Sequence, residues 1–154
     1  MDELKIITKV IISSYIELSE KEKKLINVAK DTAKNAYAPY SQFKVGAAVL
    51  LANGEIITGN NQENIAYPSG MCAERVALYY ANATFPNVKV EAIAVAAYSG
   101  GDYTEKISPC GSCRQVLQEA ENRYKSPVRI LLYGKNEVYV VESVKDLLPL
   151  SFSF

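Results

Sequence analysis

Three helices are indicated by the pattern of apolar and polar positions along the chain. Ser19 and Glu22 have the S-x-x-E spacing of a capping box, and apolar residues follow at helical intervals to about residue 36. An alanine-rich helical stretch covers about residues 72–82. Pro109 is a good first-turn residue for a third helix, which we expect to run to about residue 124.

Apolar runs bounded by turn residues predict the strands. Residues 43–51 and 55–58 flank Asn53-Gly54, the strongest short-range signal of a β-hairpin. Further strands are predicted at residues 88–97, 128–132 and 138–141. Helices and strands alternate twice along the chain, which places helices on both faces of one sheet. The pattern therefore predicts a three-layer α/β domain.

The two ends of the chain are less regular. Residues 4–17 are rich in β-branched side chains and fit an alternating and a helical pattern about equally well; we favour a strand. Near the other end, Ser143 begins a short helix that stops at Pro149.

Composition narrows the class of protein. The chain has 154 residues, of which 49% are apolar and 22% charged, as in a soluble single domain with a core. Lys plus Arg equals Asp plus Glu at 17 each. No excess of basic residues therefore indicates a nucleic acid or an anionic membrane as partner. No stretch approaches the roughly 18 apolar residues of a membrane span, and the N-terminus lacks a basic segment followed by an uninterrupted apolar run. We expect a cytoplasmic protein with a small, weakly charged partner.

The cysteines carry the first chemical clue. The chain has three cysteines and no histidine. Cys72 lies in M-C-A-E-R, and Cys110 and Cys113 lie in P-C-G-S-C-R. In a reducing compartment, an odd number of cysteines with a C-x2-C spacing favours metal or redox chemistry over disulfides.

Zinc is the metal that best matches these cysteines. Each cluster lies in a predicted first helical turn, where the helix dipole stabilises a thiolate. A structural zinc site needs four protein ligands, and with no fourth cysteine or histidine the fourth position is expected to hold water. Glu74 then serves that water as a general acid and base. Arg75 and Arg114 flank the ligands, and we expect them to donate hydrogen bonds to the sulfurs and offset the charge of three thiolates.

Other interpretations of these residues remain open. A C-x2-C pair is also a redox motif, although the third cysteine and Glu74 would then have no purpose. The zinc could be purely structural. Glu74 could be a surface acid that complements the helix dipole, and both arginines could be solvated helix residues.

These motifs resemble those of the zinc-dependent cytidine deaminases, specifically the small all-cysteine class that acts on free nucleosides. The similarity includes C-A-E-R, P-C-G-S-C-R-Q, Y-S-x-F-x-V-G-A-A at residues 40–48, N-x-E-N at 61–64 and L-L-P-x-x-F at 147–152. It implies a three-layer α/β/α domain with a central mixed sheet. Residues 19–154 would form a single catalytic domain, and residues 1–18 an N-terminal extension.

The resemblance also implies roles for individual residues. Cys72, Cys110 and Cys113 would bind Zn²⁺, and Glu74 would be the proton shuttle. The expected substrate-binding residues are Phe43, as a wall against the base, Asn61 and Glu63, at the sugar 3′-hydroxyl, and Ala73 and Phe152. Residues 61–64 could instead be a loop-forming polar run, and Phe43 an ordinary core residue.

The implied assembly is a homotetramer in which neighbouring subunits complete each site. Phe152 matches an aromatic residue that is contributed across that interface, and the apolar tail that contains it is consistent with burial against another chain. The tail could also fold back on its own domain.

The implied reaction is hydrolytic deamination of cytidine and 2′-deoxycytidine, in pyrimidine salvage. Hydroxide would attack C4 of cytosine while Glu74 protonates N3, and ammonia would leave. Neither Asn61 nor Glu63 is expected to contact the 2′-hydroxyl, so both nucleosides are expected substrates. The alternatives are deamination of a modified cytosine nucleoside such as blasticidin S, and a non-catalytic zinc scaffold.

Overall fold

A mixed sheet of seven strands forms the centre of the protein in a computed structural model that describes residues 1–153. The strands are β1 (Ile11–Ser13), β2 (Lys44–Leu51), β3 (Ile56–Asn60), β4 (Val90–Ser99), β5 (Asp102–Tyr103), β6 (Arg129–Tyr133) and β7 (Val138–Val141). Their order is β1-β7-β6-β4-β2-β3, and β5 pairs with β4. β4 and β6 are parallel, whereas the other strand pairs in these residues are antiparallel.

Three helices cover the two faces of the sheet. They are α1 (Glu20–Lys34), α2 (Ala73–Thr84) and α3 (Gly111–Tyr124). One face packs on α1 through a cluster that includes Leu25 and Ala48, while the other packs on α2 and α3 through a cluster that includes Leu78, Leu117 and Val49. Ala48 and Val49 are consecutive in β2, so their side chains point to opposite faces. The predicted three-layer α/β/α architecture is confirmed.

Two glycines allow the helices to lie unusually close to the hairpin formed by β2 and β3. A Cβ atom at Gly46 would lie 2.2 Å from the carbonyl oxygen of Ala29 in α1. A Cβ atom at Gly59 would lie 2.6 Å from the carbonyl oxygen of Ala73 in the first turn of α2. Side chains at these positions would force the layers apart. The absence of a side chain at Gly59 therefore lets the start of α2, next to Cys72, lie directly against the sheet.

The three longer predicted helices and the hairpin are confirmed, with boundaries that differ by a few residues. The short helix predicted between Ser143 and Pro149 is a 3-10 turn at Val144–Asp146. The short strand β5 was missed because two residues are too few to produce a hydrophobic pattern. In the segment 4–17, strand structure is confined to Ile11–Ser13, and a 3-10 turn follows at Tyr15–Glu17. The segment lies at the sheet edge against β7, which has four residues, so few of its residues find a strand partner. Within residues 1–153 no helix is long and apolar enough to cross a membrane.

Glu22 completes the predicted capping box and joins α1 to the sheet. Its carboxylate accepts a hydrogen bond from the Ser19 backbone N–H at 2.9 Å and one from Arg129 Nε in β6 at 2.7 Å. Burial acts to raise the pKa of Glu22, but the hydrogen bonds from Ser19 and Arg129 outweigh it, so the pKa lies below its ordinary value of 4.5.

Replacement of Glu22 with glutamine is expected to lower the free energy of unfolding by about 1 kcal/mol at neutral pH. Because the folded-state pKa is lowered, the carboxylate stabilises the fold above its unfolded-state pKa, and this stabilisation is lost as the pH falls through the folded-state pKa. Urea unfolding from neutral to strongly acidic pH measures the difference. If the loss of unfolding free energy in Glu22→Gln did not become smaller in acid, this account would be contradicted. Glu20→Gln, at an exposed position of the same helical turn, serves as the control.

Glu121 is a buried carboxylate that joins α3 to the two segments around it. Oε1 accepts hydrogen bonds from the backbone N–H groups of Val128 and Val144, each at 2.9 Å, and Oε2 accepts one from the Ser143 hydroxyl at 2.8 Å. The residue is 6% exposed. Removing the carboxylate would leave two buried N–H groups without an acceptor.

Replacement of Glu121 with alanine is therefore expected to lower the free energy of unfolding by about 3 kcal/mol. Glu119→Ala, at an exposed position of the same helix, is the matched control and should change it by less than about 0.5 kcal/mol. Denaturant unfolding curves of the two variants give both values. Equal free energies of unfolding for the two variants would show that the buried hydrogen bonds of Glu121 contribute nothing to stability.

Candidate active site

Three cysteine sulfurs meet where the N-termini of α2 and α3 approach each other. Cys72 is the N-cap of α2, Cys110 is the N-cap of α3, and Cys113 lies in the first turn of α3. The Sγ atoms of Cys72 and Cys110 are 3.8 Å apart, and those of Cys110 and Cys113 are 3.5 Å apart. All three sulfurs lie within 4.8 Å of one another. The two sequence motifs thus form one cluster.

The geometry of this cluster fits a zinc ion. A Zn–S distance of about 2.3 Å in a tetrahedron implies sulfur separations of about 3.8 Å. All three cysteines are free thiols, and no carboxylate joins the cluster among the residues that the structure describes. Three sulfurs supply three of the four positions of a tetrahedral metal. The fourth position of a bound metal would be left to a small molecule, which is the arrangement of catalytic rather than structural zinc sites.

One of the sulfurs is already favoured as a thiolate. Hydrogen bonds from Cys113 and from Arg75 lower the pKa of Cys72 to about 5. The pKa of Cys113 is raised, first by its hydrogen bond to Cys72 and then by burial. The Nη2 atom of Arg75 lies 3.5 Å from the Cys72 sulfur, as predicted, and this contact raises the pKa of the guanidinium. Arg75 therefore places positive charge beside the cluster.

Arg114 differs from the prediction that both arginines donate to sulfur. Its Nε donates a hydrogen bond to the Pro109 carbonyl at 2.8 Å, and its Nη1 donates one to the Leu147 carbonyl at 2.6 Å. The side chain is thereby directed along the end of α3 toward the segment that contains Leu147. Arg114 fixes the loop that precedes Cys110, and its hydrogen bonds do not reach the sulfurs.

Glu74 lies in the first turn of α2 and is buried beside the cluster. The residue is 4% exposed. Burial raises the pKa of its carboxyl, and the nearby Cys72 sulfur adds to the effect. Glu74 lines a cavity of about 180 Å³, which we call the inner cavity. Its other lining residues are Val45, Asn61, Cys72, Ala73, Ile107, Ser108 and Cys110. The predicted proton shuttle therefore lines the same cavity as two of the three cysteines.

A larger depression of about 590 Å³, which we call the outer cleft, adjoins the inner cavity. The two share Asn61 and Cys72 as lining residues. The other residues that line the outer cleft are Tyr40, Ser41, Gln62, Glu63, Asn64, Tyr67, Gly70, Met71 and Arg75. Asn61 and Cys72 therefore lie at the boundary between the two spaces.

Asn61 and Glu63 are both held by the segment that leads into β2. The Asn61 side chain accepts a hydrogen bond from the Val45 N–H at 2.7 Å and donates one to the Phe43 carbonyl at 2.9 Å. The Glu63 carboxylate accepts hydrogen bonds from the Tyr40 N–H at 2.9 Å, the Ser41 N–H at 3.3 Å and the Ser41 hydroxyl. Both side chains are thus oriented before any ligand arrives.

The structure brings together most of the predicted site residues, but not all. Ala73 lines the inner cavity, whereas Phe43 is half-buried and lines neither space. Phe152 is 71% exposed, and its carbonyl accepts a hydrogen bond from Gln115 Nε2 at 2.9 Å. Ser41 lines the outer cleft but was not predicted as a site residue, although it belongs to the quoted Y-S-x-F motif. Ile107 and Ser108 carry no local signal, because their position depends on how the loop before α3 folds.

Comparisons with known proteins find similar chains in one family. Residues 19–126 match the family model described as the cytidine and deoxycytidylate deaminase zinc-binding region. The cytidine deaminase of Sporosarcina psychrophila is 41% identical over 131 residues, which cover 84% of this chain and 90% of that protein. The cytidine deaminase of Mycobacterium tuberculosis is 34% identical over 129 residues, which cover 80% and 84%.

A solved structure supports the same relationship. The crystal structure of cytidine deaminase from Burkholderia pseudomallei superimposes with a TM-score of 0.72 at 37% sequence identity. The superposition covers 88% of this chain and 100% of that one. The layers, the sheet and the sequence are therefore similar over the same region.

Proposed function

The chain belongs to the cytidine and deoxycytidylate deaminase family, and we propose that it converts cytidine and 2′-deoxycytidine to the corresponding uridines with release of ammonia. The observation that carries the proposal is the placement of Glu74, a buried carboxyl group in a cavity that two of the three clustered sulfurs also line. A structural zinc site has no use for a buried acid at this position.

Cys72, Cys110 and Cys113 would hold one Zn²⁺ ion. When bound, the metal supplies Lewis acidity that lowers the pKa of water and so makes it a nucleophile at neutral pH. Arg75 offsets part of the negative charge of the three thiolates through its hydrogen bond to Cys72, which favours that acidity.

Glu74 moves the protons of the reaction. It accepts a proton from the attacking water and delivers it to N3 of the cytosine ring as the C4–O bond forms. Glu74 then takes the remaining proton from the new C4 hydroxyl and delivers it to the amino group; the C4–N bond breaks as the C4=O bond forms, and ammonia leaves. Burial raises the pKa of Glu74, which lets its carboxyl hold a proton between these transfers.

Asn61 and Glu63 would bind the sugar, which places it in the outer cleft and the base in the inner cavity. Asn61 lines both spaces and offers an amide donor and acceptor, and Glu63 lines the outer cleft with an acceptor. Ala73 lies beside Glu74 and would contact the base.

The outer cleft favours a nucleoside over a nucleotide. Arg75 is the single cation among the described residues that line the cleft, and its guanidinium is directed to Cys72. Glu63 adds a negative charge that would repel a phosphate. We expect kcat/KM for cytidine and 2′-deoxycytidine to exceed that for their 5′-monophosphates by about 100-fold or more.

This preference is measured by chromatography of the products from the four compounds under identical conditions. Comparable rates for 2′-deoxycytidine and deoxycytidylate would contradict the assignment of a nucleoside substrate. Failure to convert any of the four would contradict the proposed function as a whole.

We also propose that the chain forms a homotetramer with shared active sites. Large apolar side chains are exposed next to the outer cleft, namely Ile65 at 81% and Tyr67 at 80%, and Leu150 and Phe152 are exposed in the C-terminal tail. Exposed apolar side chains of this size support burial against another copy. A clean monomer in light scattering at micromolar concentration would contradict this proposal.

Three free thiols are consistent with a cytoplasmic location, where thiols stay reduced.

A further inference from the structure

We propose that Ser41 is a positioning residue that fixes the carboxylate of Glu63 for the sugar 3′-hydroxyl of the substrate. The inference rests on the proposed function, because it requires a nucleoside in the outer cleft. Both residues line that cleft, although they lie 22 positions apart in the sequence. Ser41 would act through Glu63 and would not itself contact the reacting atoms.

The hydrogen bonds to Glu63 leave one acceptor position of its carboxylate for a ligand. Oε2 accepts from the N–H groups of Tyr40 and Ser41, and Oε1 accepts from the Ser41 hydroxyl. An ionised carboxylate has about four acceptor positions, so these three bonds leave one position, on Oε1. The Ser41 hydroxyl decides where that position points, because it occupies the other lone pair of the same oxygen.

The proton of the Ser41 hydroxyl is committed to Glu63. Ser41 Oγ also accepts a hydrogen bond from the Phe43 N–H at 3.0 Å, and its contact with the Phe43 carbonyl is longer, at 3.5 Å. A hydroxyl has a single proton to donate. The hydrogen bond from Ser41 is also the largest of the effects that lower the pKa of Glu63, so the carboxylate remains an acceptor and cannot compete as a donor.

The turn that carries Ser41 is itself fixed. Gln42 adopts a φ of 57°, in the left-handed region that is uncommon for residues other than glycine. Its N–H donates to the Ala38 carbonyl, and its own carbonyl accepts a hydrogen bond from the Ser99 hydroxyl, both at 3.1 Å. Ser41 and Ser99 thus hold the same turn, but Ser41 alone of the two contacts Glu63.

The test compares ligands with and without a 3′-hydroxyl. In Ser41→Ala, KM for cytidine and for 2′-deoxycytidine is expected to rise about tenfold, while kcat stays within about twofold. The inhibition constant of 3′-deoxycytidine against cytidine turnover is expected to change by less than about twofold, because this ligand lacks the group that Glu63 binds. The same constant shows that the variant is folded and has an intact base pocket.

Two further variants separate positioning from a general effect on the turn. Ser99→Ala removes the other serine that holds the turn and is expected to leave KM within about twofold. The double variant Ser41→Ala with Glu63→Gln is expected to have the KM of Glu63→Gln alone, since Ser41 acts through that carboxylate.

Three results would overturn the inference while leaving the deaminase activity in place. The first is an equal loss of affinity in Ser41→Ala for ligands with and without the 3′-hydroxyl. The second is a rise in KM in Ser99→Ala equal to that in Ser41→Ala. The third is additive effects of the Ser41 and Glu63 substitutions on KM. A wild-type protein that converts neither cytidine nor 2′-deoxycytidine would overturn the proposed function, and this inference with it.

Discussion

Replacement of Glu74 with glutamine is expected to lower kcat for cytidine by about a thousandfold or more. Glutamine has nearly the same shape but cannot carry a proton between water and the ring nitrogen. Because general acid and base catalysis by one group contributes roughly 10²–10⁴-fold, and Glu74 serves in both directions, the loss should lie in the upper part of that range. Steady-state rates from ultraviolet absorbance give the value.

Zinc content and stability are the controls for this variant. Glu74 lies outside the three-sulfur cluster, so the variant should retain about one zinc ion per chain and unfold at a similar denaturant concentration. A variant that retains zinc and also retains more than about a tenth of the wild-type kcat would rule out Glu74 as the proton shuttle.

Replacement of Cys113 with serine is expected to abolish zinc binding under dialysis and, with it, the activity. Cys113 is fully buried, and its sulfur lies 3.5 Å from that of Cys110. Losing a group that merely orients a ligand costs about 10- to 100-fold in metal affinity, so losing a ligand should cost at least about 100-fold. Metal analysis after dialysis, together with the rate on cytidine, tests this expectation.

Ser112→Ala is the matched control, because Ser112 is exposed in the same helical turn. It should leave zinc content and activity unchanged. If Cys113→Ser kept a full complement of zinc, the cluster of three sulfurs would not be the metal site.

Local sequence signals were sufficient for most of the fold. The Ser19 capping box and the Asn53-Gly54 turn act within a few residues, so they indicate a helix start and a hairpin without knowledge of the rest of the chain. Strand structure near the N-terminus was harder to predict, because the extent of β1 depends on the length of its neighbour β7. Its β-branched composition carries no information about that length.

The site residues likewise fall into those that local sequence could predict and those that depend on the folded chain. The sequence could predict that the three cysteines and Glu74 belong to one site, because residue type and spacing alone restrict their chemistry, and the structure brings them together. Arg114 was misassigned because a guanidinium at the start of a helix can donate in several directions, and the folded chain directs it to the Pro109 and Leu147 carbonyls. The contact between Ser41 and Glu63 joins two loops, and spacing in the sequence could not predict it.

The most direct test of the central claim is the ultraviolet absorbance of cytidine incubated with wild-type protein that has been stripped of metal and then titrated with zinc. We expect the absorbance of cytidine to fall as uridine forms, at a rate that rises with added zinc and saturates at about one ion per chain. The same result is expected with 2′-deoxycytidine. Unchanged absorbance of both nucleosides at saturating zinc would contradict the account.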